Sequence, residues 1–87
     1  MATLRLFAAA REAAATSVET INAGTVGAVL AEAGARHGPH FVDVLAMCRV
    51  WLNGEPTDLE ASVGERDEIA VLPPVSGGAG PVFGSPR

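Results

Sequence analysis

Residues 65–78 read ERDEIAVLPPVSGG. Glu65, Arg66 and Asp67 form a charged turn, and Glu68 to Leu72 then reads as a strand with Ile69 and Val71 on one face. Pro73 and Pro74 cannot continue a sheet ladder and favour an extended exit from it. Val75, Ser76, Gly77 and Gly78 follow, small or flexible enough to thread a narrow channel. From Pro73 to Gly78 the six residues span up to roughly 20 Å. A strand that ends in such an arm suggests a domain that presents its C-terminal side to a partner.

Working back from that strand, Asn53-Gly54 is a strong short hairpin signal between residues 49–52 and a brief return at residues 55–58. Pro56 confines that return to an edge. Residues 59–64 read as a connector. Thr25 is placed to cap a helix carrying Val26, Val29, Leu30 and Ala33 at i, i+3, i+4, i+7. Gly38-Pro39 stops that helix, and residues 41–47 read as a short helical or irregular link. At the start, residues 3–8 alternate as a strand, and residues 17–21 form a second. The alanine-rich stretch between them is compatible with a helical turn and is read as a hairpin connection. The order is therefore strand, strand, helix, strand, strand stub, strand. One main helix must cover one face of a mixed sheet, an α+β architecture. The segments divide as a domain over residues 1–74, an arm over 75–78 and an extension over 79–87.

The bulk properties narrow the function. The 87 residues carry a net charge of −4 and no lysine, every basic residue being arginine. Nucleic-acid binding wants a basic stripe, and an anionic membrane surface wants the same, so neither is expected as a partner. With 48% hydrophobic residues the chain folds, but 87 residues make only a modest core. The single cysteine, Cys48, excludes an internal disulfide and a cysteine-built metal site. No stretch approaches a membrane span, and the apolar start is broken too early by Arg11-Glu12 for a signal peptide. A cytoplasmic protein is expected.

Three stretches carry a likeness. FAAARE (residues 7–12), VWLNGEP (50–56) and the 65–78 motif resemble the small subunit of molybdopterin synthase, of the ubiquitin-like sulfur carriers. The resemblance spans residues 3–78 and implies a β-grasp fold. It implies that Gly78 is the working residue: an E1-like adenylating enzyme uses ATP to activate the glycine carboxylate. Sulfide then displaces AMP to leave a thiocarboxylate. The large synthase subunit would take the sulfur to make the dithiolene of the molybdenum cofactor. The thiamine and cysteine-biosynthesis carriers share this chemistry with other acceptors. No permanently bound cofactor is implied, and the domain is not a catalyst alone.

The likeness breaks at the end of the motif, because Gly78 is followed by AGPVFGSPR. Here Gly78 carries a peptide bond where the chemistry needs a free carboxylate. Cutting between Gly78 and Ala79 by a processing protease would supply it. On composition alone, the diglycine is equally a linker to a disordered tail.

Strand parity names a docking surface. With Leu4, Leu6, Val50, Leu52, Ile69 and Val71 turned to the helix, Phe7, Trp51 and Leu72 project from the opposite side. An uncovered group of large apolar residues marks an interface, unless residues 39–47 cover Phe7 and Trp51. Arg11 and Glu12 are either a weak surface ion pair or contacts beside that patch. Cys48, without a histidine or second cysteine nearby, reads as a structural thiol. His37 and His40 make a poor metal site, and helix-end polarity accounts for them better. The readings left open are a carrier for the molybdenum cofactor, a carrier for cysteine, thiamine or a secondary metabolite, a protein modifier, and a ubiquitin-like binding module that bears no sulfur.

Overall fold

The computed structural model describes residues 1–73. Pro74, Val75, Ser76, Gly77, Gly78, Ala79 and the rest of the 79–87 extension lie outside the described residues. The strands are β1 (Ala2–Leu6), β2 (Val18–Ile21), β3 (Arg49–Leu52), β4 (Glu55–Pro56) and β5 (Glu68–Leu72). They form one sheet in the order β2-β1-β5-β3-β4. β1 and β5 pair in parallel at its centre, and the other neighbours are antiparallel. The last strand is thus inserted between the first and third, which makes the sheet mixed and the fold a β-grasp.

Alternation decides what the sheet buries. Leu4, Leu6, Ile69 and Val71 are wholly buried or nearly so. Their registers, Leu4 with Ile69 and Leu6 with Val71, stack them side by side. Val50 and Leu52 continue the layer, half-buried against the core. Each fully buried aliphatic side chain is worth about 1.5–3 kcal/mol of transfer free energy.

Three helices cover that face rather than the one expected. The main helix, α2 (Val26–His37), buries Val26, Val29 and Ala33. Its cap is the one read from sequence: the Thr25 hydroxyl accepts the Ala28 N–H at 3.1 Å. Gly38, at φ 96°, ends it, and Pro39 takes the first position of the next helix, α3 (Pro39–Leu45). A proline there loses no bond, since that N–H would have no helical partner. The glycine-proline pair therefore separates two helices, and Phe41 of α3 is fully buried. The two helices pack closely at Gly34, where an added Cβ would lie 2.9 Å from Val42 Cγ2.

The alanine-rich stretch is α1 (Ala8–Ala14), not an irregular hairpin connection. β1 and β2 are still antiparallel partners, so the connection is a hairpin with a helix inside it. α1 buries Ala10 in the same core, and Ala15, at φ 59°, ends it in the left-handed region.

Asn53 and Gly54, at φ 51° and 86°, form the two-residue turn between β3 and β4. Asn53 also holds the start of β5. Its N–H donates to the Glu68 carbonyl at 2.8 Å and its Oδ1 accepts the Glu68 N–H at 2.9 Å. Its Nδ2 reaches Asp67 Oδ1 at 3.0 Å. No helix among the described residues is long and apolar enough to cross a membrane.

Candidate functional site

The face of the sheet away from the helices is built by register. Arg5 lies opposite Val18 on one side and Ala70 on the other. Trp51 lies opposite Ala70 and Pro56. One row, Val18-Arg5-Ala70-Trp51-Pro56, therefore crosses all five strands. Val18 is 44% exposed and Trp51 half-buried. The long Arg5 side chain pairs with Glu68 on this face.

A second row lies beside it. Leu72 is opposite Arg49. Phe7 extends β1 by one residue, with extended dihedrals and its N–H donated to the Val71 carbonyl at 3.3 Å. Phe7 is 39% exposed and Leu72 half-buried. Phe7, Trp51 and Leu72 thus share the face that strand parity assigns them. The 39–47 segment does not cover it, because Phe41 of α3 belongs to the core on the other side. Among the described residues no helix packs on the open face.

Pro73 continues directly from Leu72 and is the last described residue. The remaining residues of the arm, Pro74 to Gly78, and the Gly78–Ala79 bond lie outside the described residues. Arg11 is exposed, one helical turn beyond Phe7, whose carbonyl accepts its N–H at 3.4 Å. It belongs to α1 on the core side and therefore borders the patch rather than lying in it. Among the described residues it makes no ion pair with Glu12 or with any other acid.

The other polar candidates are structural. Cys48 is half-buried, its thiol donates to the Val44 carbonyl at 3.2 Å, and burial pushes its pKa up. That is the environment of an unreactive thiol. His37 Nε2 lies 2.7 Å from Glu19 Oε2 on β2, and its ring meets Phe41 edge-on at 5.0 Å between centroids. Arg36 reaches Glu19 at 3.2 Å and the Thr20 carbonyl at 3.3 Å. Glu19 therefore clamps the end of α2 to the sheet, a specific carboxylate partner where sequence suggested only general helix-end polarity. No group of three or more metal-ligating side chains occurs among the described residues.

Asp67 gathers the turn before β5. Its Oδ2 accepts the Gly64 N–H at 2.7 Å, and Asn53 bonds its other oxygen. These two bonds hold its carboxyl below the usual carboxylate range.

The ThiS family model matches residues 4–78 of this chain. No curated protein matches it. Among solved structures, small archaeal modifier protein 1 from Methanosarcina acetivorans is 28% identical over 88% of this chain and 95% of its own, with a TM-score of 0.79. A chain of the BexX/CysO complex from Amycolatopsis orientalis is 21% identical, covering 90% and 100%, with a TM-score of 0.74. The complex of subunits 1 and 2 of molybdopterin-converting factor from Helicobacter pylori contributes a chain 24% identical, covering 88% and 97%, with a TM-score of 0.63. The last two likenesses concern the fold.

Proposed function

Because the chain belongs to the ThiS family of ubiquitin-like sulfur carriers, we propose that Gly78 bears the sulfur, once the bond to Ala79 is cut. The observation that supports this reading is where the family match ends: residue 78, the second glycine of the closing motif. The chemistry explains the need for trimming. A carboxylate oxygen of Gly78 attacks the α-phosphorus of ATP in an E1-like enzyme, and pyrophosphate leaves. A sulfide nucleophile then attacks the acyl carbon and forms the C–S bond, the acyl C–O bond breaks as AMP leaves with the oxygen and the electron pair, and a thiocarboxylate remains. Within a peptide bond Gly78 has no such oxygen to offer.

The domain's own part is presentation. Pro73 and Pro74 have no N–H with which to continue the ladder of β5 past Leu72, and glycine at 77 and 78, lacking a side chain, suits a channel that a larger residue would block. Phe7, Trp51 and Leu72 form the surface an arm-receiving partner grips, with Arg11 at its border. An apolar face of this kind marks an interface when no element of the chain covers it.

The acceptor we assign is the pterin precursor of the molybdenum cofactor, delivered in complex with the large synthase subunit. Support comes from FAAARE, VWLNGEP and the closing motif, taken together. Carriers for cysteine, thiamine or secondary metabolites share the fold, as the CysO complex illustrates. Attachment to other proteins is a second reading, favoured by the 28% identity to a protein named a modifier. Incubating the chain ending at Gly78 with an E1-like enzyme, ATP and sulfide tests the carrier reading by intact mass. Exchange of one oxygen for sulfur is the expected outcome. An isopeptide-linked adduct formed instead would favour the modifier.

A further inference from the structure

The open sheet face carries charge in a pattern that the rest of the molecule does not share. The chain has ten acidic and six basic residues. On the strands, however, the open face takes two arginines, Arg5 and Arg49, and one acid, Glu68. Glu68 is already paired with Arg5. Arg49 is exposed and makes no ion pair among the described residues. Its register partner is Leu72, and Trp51 stands two residues along the same strand. A guanidinium is thus set beside two of the apolar side chains that define the patch.

The acids of the neighbouring strand do not serve it. Glu55 lies opposite Leu52 and shares its core-side parity. Asp58, past the end of β4, accepts the Glu60 N–H at 3.0 Å. On the helix side, by contrast, Arg36 has two acids, Glu19 and Glu32. Water solvates Arg49 while the face is free. Neighbours opposite and two residues along one face lie about 5–7 Å apart, so a surface resting on both Leu72 and Trp51 reaches Arg49 as well. A charge that loses its water there without gaining a partner is strongly unfavourable.

Building on the reading of this face as the docking surface, we propose that the partner protein brings an aspartate or glutamate side chain to Arg49, within an apolar surround. A forked guanidinium–carboxylate pair also fixes the partner's rotation on the face, which apolar contacts leave loose. A second copy of this chain is a poor occupant. The strands of its open face offer no unpaired acid, and both copies carry a net charge of −4.

The absence of lysine makes the contact directly readable. Arg49→Lys introduces the only side-chain amine, and a water-soluble carbodiimide joins an amine to a carboxylate in direct contact with it. Both the full chain and residues 1–78 should be combined with a purified E1-like enzyme. The expected product is an amide between position 49 and an Asp or Glu of the enzyme, located by peptide mass mapping. Arg66→Lys, in the turn at the other end of β5, should give none. In titrations Arg49→Glu should weaken binding about tenfold or more, with Arg49→Lys close to native and Arg66→Glu unchanged. Native affinity in Arg49→Glu, equal loss in Arg66→Glu, or binding by Arg49→Lys without that cross-link would overturn the proposal. So would a cross-link between two copies of the chain. Trp51→Glu separates the two levels. If it is lost while Arg49→Glu binds as the native chain does, only the carboxylate is wrong. If both bind as the native chain does, or neither native length binds, the docking face falls and the carboxylate with it.

Discussion

Trp51 is half-buried, yet its burial comes from neighbours on its own sheet face, Ala70 and Pro56, and not from the core. A charge placed there stays in contact with water. We therefore expect Trp51→Glu to keep the far-ultraviolet circular dichroism of the fold and to lose binding to the activating enzyme by at least tenfold in a titration. A mutant that unfolds would mean that the side chain supports the core after all. Asp67 makes the opposite kind of contribution, to the fold and not to a partner. Its carboxylate is favoured in the folded state by the bonds from Gly64 and Asn53, so its pKa is depressed there. The stability it adds is complete above about pH 4, the range of a free aspartate, and fades as pH falls through the lower folded value. Thermal melts of the native chain and Asp67→Asn should differ at pH 7 and converge in acid. A constant gap across that range would refute the assignment.

Helix α2 shows at the scale of an element what a single side chain can hold. The Thr25 hydroxyl satisfies one of the four N–H groups that a helix leaves unpaired at its start. Thr25→Ala should cost about 1 kcal/mol in denaturant unfolding, with Thr25→Ser close to native. Loss of more than about 3 kcal/mol would show that Thr25 does more than cap. The same helix marks how far the sequence could be read. Its apolar stripe and cap were legible because both are local, and so were strand parity and the Asn53-Gly54 turn. α1 and α3 were not, as each has seven residues. Helices below ~12–15 residues are marginal alone and take their stability from packing. An alanine run is compatible with helix or turn until Ala10 finds the core, and the 41–47 link became a helix because Phe41 does the same. The Glu19 clamp was equally hidden: it joins residues 17 and 18 positions apart, with no pattern to announce it.

The whole molecule is arranged around its last strand. Two helical connections and a hairpin are folded so that β5 can enter between β1 and β3, with the open face on one side and the core on the other. The apolar sheet face was legible from alternation, whereas the diglycine read from its motif lies outside the described residues. The account turns on Gly78. Residues 1–87 and residues 1–78 should be incubated side by side with purified E1-like enzyme, ATP and sulfide, without protease, and weighed intact. The shorter form should gain the sulfur-for-oxygen mass difference and the longer form should not change. Equal gain in both forms would contradict the account, because the full chain has no free carboxylate at Gly78 to take the sulfur.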